Sequence, residues 1–136
     1  MNRPALLLYQ LLIGLSDTGT GALLVMAPAL TLRLMRLHAP EDALVYLSFI
    51  GAFVMGVGLS CLYGAYITWC DGCERKLTTI WMLTALMRAS VAIFVTAQVL
   101  AGALPTGWTT VALFDAACVF IQIFGVRRGW LAHGDC

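Results

Sequence analysis

The sequence predicts an all-α fold, a four-transmembrane-helix bundle with a short interfacial helix between the first two spans. Three observations lead there. Of the 136 residues, 61% are hydrophobic and 11% charged, against about 45–50% and about 25% in soluble domains. A soluble fold this small cannot hide so much apolar surface, whereas in a bilayer the apolar side chains face lipid. Four apolar segments reach the roughly 20 residues that cross the hydrocarbon, and the polar–apolar alternation of barrel strands is absent.

The first span runs from Ala5 to Ala27 and ends at Pro28. Its start resembles a signal peptide, with Thr20-Gly21-Ala22 as the small-residue cleavage site. The apolar run resumes at Leu23, which favours a membrane helix. The second span covers Ala43 to Trp69, with Pro40 and Glu41-Asp42 as start signals. Between them Leu30, Leu34 and Leu37 share a helical face beside Arg33 and Arg36, as in a helix lying in the interface; a plain loop is the alternative. The third span covers Leu77 to Ala101 and the fourth Trp108 to Val126. Only Gly102 to Gly107 connects them, so they are expected to be antiparallel neighbours. No repeat or second domain is evident, and the chain reads as one integral membrane domain.

Orientation follows from lysine and arginine counts. Arg3, Arg75, Lys76, Arg127 and Arg128 fall on one side, Arg33 and Arg36 on the other. Both termini are therefore expected in the cytoplasm. Tyr9, Tyr66, Trp69, Trp81 and Trp130 are expected near the inner face, Tyr46 and Trp108 near the outer. The net charge of +1 comes with no basic stripe, so nucleic acid is not an expected partner.

Helices in lipid associate through close packing. Ser48, Ala52, Gly56, Ser60 and Gly64 recur every fourth residue in the second span. They are expected to form a helix-packing stripe within the chain, contact with another subunit being the alternative.

Asp17, Arg88 and Asp115 fall inside spans. Such groups usually face the bundle interior and pair with one another. At about 1.5 Å of rise per residue, they lie roughly 20, 17 and 18 Å from the inner helix ends, near one midplane level. Gln10, Gly14, Asp17 and Gly21 share one face; Asp115, Cys118, Gln122 and Gly125 share another. Gln10 is expected at the level of Gln122, with Thr84 and Arg88 on the third span completing a polar seam. One reading makes Arg88 a bridge that fixes helix register. The other starts from two acids against one base: a shared proton, or a compensating cation, suits proton transfer or a polar headgroup.

Five cysteines are present. Cys61 and Cys118 sit in apolar runs and read as core residues. Cys70 and Cys73 form a C-x-x-C, and His133 and Cys136 fall on the same side. Together these four would make a Cys3His set of the structural zinc type. A redox dithiol is a second reading and reduced thiols a third, since stable disulfides are rare in the cytosol.

Gly21-Ala22-Leu23-Leu24 before Pro28, then Phe49-Ile50-Gly51-Ala52 through Gly56-Val57-Gly58, resemble small bacterial four-helix membrane proteins of the DoxX-like kind. The resemblance covers most of the chain. It implies a bacterial inner-membrane location and, for some members, a place as a small subunit of quinone-linked oxidoreductases. It carries over no catalytic residue. The leading expectation is a non-catalytic accessory subunit of a larger membrane complex, such as an electron-transfer assembly, with membrane lipids and other subunits as partners. The alternative is a carrier or binding protein for protons or for a lipophilic molecule such as a quinone. Haem ligation is not expected, since His38 and His133 lie outside the spans. An intramembrane enzyme would need a nucleophile and base, and no such pair is seen.

Overall fold

The computed structural model describes residues 3–70 and 73–132. Among them are five α-helices and no strand. These are α1 (Arg3–Met26), α2 (Pro28–Leu34), α3 (Leu44–Cys70), α4 (Glu74–Leu100) and α5 (Thr109–Arg127). Single 3-10 turns, Glu41–Ala43 and Thr106–Trp108, lead into α3 and α5 behind Pro40 and Pro105. All helices but α2 are long and apolar enough to cross a membrane.

Three helix ends are fixed by the same left-handed cap. The amides of Gly102 and Ala103 bond back to Val99 and Gln98, those of Gly129 and Trp130 to Val126 and Gly125, and those of Arg36 and Leu37 to Arg33 and Leu32. This pattern needs a positive φ at the turning residue. Gly102 and Gly129 supply it without a Cβ, whereas at the end of α2 Arg36 adopts it at φ 57°. The α3 terminus is closed differently: the Arg3 guanidinium donates to the carbonyls of Thr68 at 2.8 Å and Trp69 at 2.7 Å.

The helices associate as two close pairs, α1 with α3 and α4 with α5, and α3 also touches α4. Glycine sets the first pair. A Cβ on Gly21 would lie 2.7 Å from the Gly51 carbonyl oxygen, and one on Gly51 would lie 2.6 Å from the Leu24 Cβ. Gly58 abuts Thr18 and Asp17 in the same way. Backbones meet here with no side chain between them, the close approach that drives association in lipid.

The contact face of α3 is not the fourth-residue stripe expected from sequence. Ala52, Gly56 and Ser60 are exposed, and Gly56 has nothing within 4 Å of where a Cβ would stand. A fourth-residue step overshoots a helical turn by roughly 40°, so four steps drift about 160° around the helix. Ser48 is half-buried and Gly64 fully buried, while the middle of the stripe faces outward. The buried face runs Leu47, Gly51, Gly58, Cys61, Ala65, Thr68, steps averaging nearer 3.5, the period that keeps two helices in register.

The short helix expected between the first two spans is present, with Leu37 of the expected leucine face turned inward and the other two outward. Thr31 and Leu32 are buried, while Leu30 and Leu34 are exposed. Leu32, Leu37 and Leu47 pack with Trp108 and Val111 into an apolar cluster at this end of the bundle. The opposite end is closed by Leu6, Ile67, Cys73, Leu77, Trp81 and Leu131. Trp81, expected at the interface, is 2% exposed. Gly125 makes room for it: a Cβ there would stand 2.7 Å from the indole.

Several hydroxyls on the outer helix surfaces are satisfied locally. Ser48, Ser60, Thr79 and Ser90 each donate to the carbonyl four residues before, which pairs these four donors without need of water. Gly21→Ala is expected to lower stability by about 1–3 kcal/mol through overpacking. Gly56→Ala should be neutral or stabilising by up to about 1 kcal/mol. Reversible unfolding in mixed detergent micelles, followed by circular dichroism, checks both; equal losses would contradict the assigned contact face.

Candidate functional site

Between the two apolar ends lies a polar layer to which all four long helices contribute. Its centre is Arg88 on α4. One guanidinium nitrogen, Nη1, donates to Asp115 Oδ1 on α5 at 2.6 Å. The other, Nη2, donates to Asp17 Oδ2 on α1. Asp17 is 6% exposed, Arg88 4% and Asp115 8%. The three residues expected to share one level do so, in direct contact. Phe114 lies beneath the guanidinium, its ring centre 5.6 Å from Cζ, a distance at which the ring face attracts the cation.

The helices deliver these groups for local reasons. On α1, Gln10, Gly14, Asp17 and Gly21 are all buried. On α5, Asp115, Cys118, Gln122 and Gly125 are buried likewise. Both faces alternate a polar side chain with a small residue, so the backbones stay close while long side chains reach across. The α1 and α4 backbones do not approach closely; Arg88 bridges the gap.

Nearer the chain-terminal end, each helix pair forms the same motif. Gln10 Nε2 donates to Thr68 Oγ1 at 3.0 Å, and that hydroxyl donates to the Gly64 carbonyl at 2.9 Å. Gln122 Nε2 donates to Thr84 Oγ1 at 2.8 Å, and Thr84 donates to Ile80 at 2.8 Å. The seam was expected to involve spans one, three and four, with the glutamines at one level. Both glutamines are buried, but each bonds within its own pair, and the second span joins through Thr68. Gly64, the one fully buried member of the expected stripe, provides the space into which Gln10 Oε1 fits.

Sequence reasoning missed Thr68 and Tyr9. Thr68 is the last hydroxyl of a long apolar run, four residues after Gly64, and that spacing was the available signal. Tyr9 was placed at the interface, but its ring lies 5.5 Å from that of Trp81 and its hydroxyl is buried. Among the described residues, the buried atoms Tyr9 Oη, Gln10 Oε1, Thr18 Oγ1, Arg88 Nε and Gln122 Oε1 make no hydrogen bond. Cys61 and Cys118 are buried free thiols, as expected of core cysteines.

Of the expected Cys3His set, only Cys70 and Cys73 lie among the described residues. Cys70 is an exposed free thiol, whereas Cys73 is buried and disulfide-bonded. A disulfide sulfur is not a thiolate ligand, and the expectation of reduced thiols also fails at Cys73. Cys70 and Cys73 therefore do not form a dithiol pair with each other. His133 and Cys136 lie outside the described residues. Among those described, no group of three or more His, Cys, Asp or Glu is placed to hold a metal ion.

No family model, curated protein or solved structure matches this chain.

Arg88→Leu leaves both carboxylates buried without their partner. The loss expected from breaking a buried ion pair is about 3–5 kcal/mol. Adding Asp17→Asn and Asp115→Asn removes the uncompensated charges and should restore most of it. Detergent unfolding of the single and triple variants checks this; a triple variant no more stable than Arg88→Leu would show that the pairing is not the source of the loss.

Proposed function

We propose that the chain is an integral membrane protein, a four-span bundle acting as a non-catalytic accessory subunit of a larger membrane assembly. The carrying observation is that Arg88 engages both carboxylates from within the chain, with an apolar cluster at each end of the bundle. A polar layer built this way fixes the positions of α1, α4 and α5. The two described crevices both open on the sides of the bundle, and neither is lined by Asp17, Arg88 or Asp115. Large apolar side chains such as Leu15, Phe53, Leu86 and Phe120 point outward, which suits lipids and neighbouring subunits alike. The DoxX-like resemblance makes an electron-transfer assembly the first kind to examine, in a bacterial inner membrane.

A second reading, binding of protons or of a lipophilic molecule such as a quinone, is favoured by the unpaired buried atoms beside the triad. Two carboxylates facing one guanidinium also leave one negative charge for a proton or cation to balance. The triple variant Arg88→Leu, Asp17→Asn, Asp115→Asn separates the readings in the native membrane. The accessory role predicts that it co-purifies with the same subunits as the parent chain and sustains the assembly's activity. Intact co-purification with lost activity would support the second reading instead.

The positive residues near Arg3, Arg75, Lys76, Arg127 and Arg128 support cytoplasmic termini. The disulfide at Cys73 is the observation on the other side, since disulfides persist in oxidising compartments. Membrane-impermeant thiol labelling should reach the exposed Cys70 only from the cytoplasm, and a tag at Thr106 should be accessible only from outside. The reverse pattern would invert the orientation; termini on opposite sides would overturn the four-span topology.

A further inference from the structure

The outer faces of α4 and α5 do not close on each other. Ala89 and Ala92 on α4 and Ala116 on α5 put only methyl groups where the helices meet. A groove of about 440 Å³ results, walled on the α5 side by Phe120 and Phe124. Its lining is apolar until α5 ends, where Arg127 stands in the last turn. Arg127 is exposed, and its guanidinium makes no ion pair among the described residues. Arg128 beside it lies over the Phe124 ring, 5.1 Å from its centre, so a second positive charge is held near the same mouth.

An apolar channel with cationic groups at one end complements a molecule with a hydrocarbon chain and an anionic head. We propose that this groove seats one acyl chain of an anionic phospholipid, whose headgroup phosphate is held by Arg127. The inference rests on the helices spanning a membrane, because only then does the end of α5 lie at headgroup depth while the alanines lie in the hydrocarbon. Packing against a smooth, partly pre-formed surface adds dispersion contact along the chain, and the arginine pair adds selectivity for negative charge. The crevice beside Arg3, Pro4, Leu7, Thr68 and Trp69 is different. Its guanidinium is already engaged by the Thr68 and Trp69 carbonyls, so it offers less to a headgroup.

The test is native mass spectrometry of the full chain in neutral detergent. The probes are equimolar phosphatidylglycerol and phosphatidylcholine of identical chains. Preferential retention of phosphatidylglycerol is expected. Arg127→Gln should lower that retention about fivefold, the effect of one basic residue at a membrane surface. Ala116→Phe, which fills the groove, should lower retention of both lipids. Arg33→Gln, at the opposite end of the bundle, should change neither. Equal retention of the two lipids, or an unchanged preference in Arg127→Gln, would overturn the proposal. So would full retention by a folded Ala116→Phe variant; should that variant unfold by circular dichroism, Arg127→Gln decides alone. Failure of the underlying membrane reading looks different: the chain would then leave the membrane fraction at alkaline pH and stay soluble without detergent.

Discussion

One guanidinium holds carboxylates from two other helices, and the arrangement of the long helices turns on it. The Arg88 fork reaches Asp115 within its own helix pair and Asp17 in the other. An arginine suits this position better than a lysine would. Its planar head presents separate donors in fixed directions, so two acceptors on opposite sides are served by one side chain. In a low-dielectric interior each unpaired charge is costly, and a shift of one helix past another would break at least one of these contacts. Position along the bundle axis is thereby restricted in a way that apolar packing alone does not achieve, since leucines and alanines tolerate sliding.

The charge layer and the glycine contacts depend on each other. Gly58 lies against Thr18 and Asp17, and Gly64 against Gln10. With larger residues there, α1 would stand farther from α3. Asp17 would then be carried away from Arg88, and Gln10 from Thr68. Close backbone approach between α1 and α3 therefore sets the reach of the polar side chains on that same face of α1. On α5 the same logic couples Gly125 to the buried Trp81, which closes the terminal end beneath the Gln122–Thr84 bond.

The sequence allowed the helices and the triad to be read for a simple reason. A long apolar run has few alternatives, and an ionisable residue inside one has fewer still. Three such residues at matching depth had to find each other. The α3 contact face was harder, because that helix is apolar on all sides and rich in small residues. Composition alone then does not distinguish the face that meets α1 from the face that meets lipid. A fourth-residue spacing looks continuous when written linearly yet winds off the contact line in three dimensions, which is why Gly56 was assigned to the interior and lies outside. Trp81 and Tyr9 were misplaced because aromatic residues near a span end fit both an interfacial belt and an apolar plug. Gly125 opposite Trp81 decides the matter, and that pairing is visible only once α4 and α5 are set side by side.

The layered order of the interior bears on what the polar groups can do. Along the bundle axis an apolar cluster is followed by the two Gln–Thr bonds, then the charged triad, then a second apolar cluster. A proton relay needs polar groups continuous with water at one end at least. Here Leu6, Leu77, Trp81 and Leu131 stand between the glutamines and the terminal face, each at most 2% exposed. Leu32, Leu37 and Leu47 close the other end. The unpaired oxygens of Gln10 and Gln122 belong to side chains whose amide nitrogens are engaged, so each residue is half satisfied and held in place by the engaged half. That combination gives orientation to both glutamines. A proton arriving along the axis would first have to pass an apolar layer. The Arg88 fork, engaged through both terminal nitrogens with carboxylates on α1 and α5, ties those two helices to α4 at one level of this layered interior.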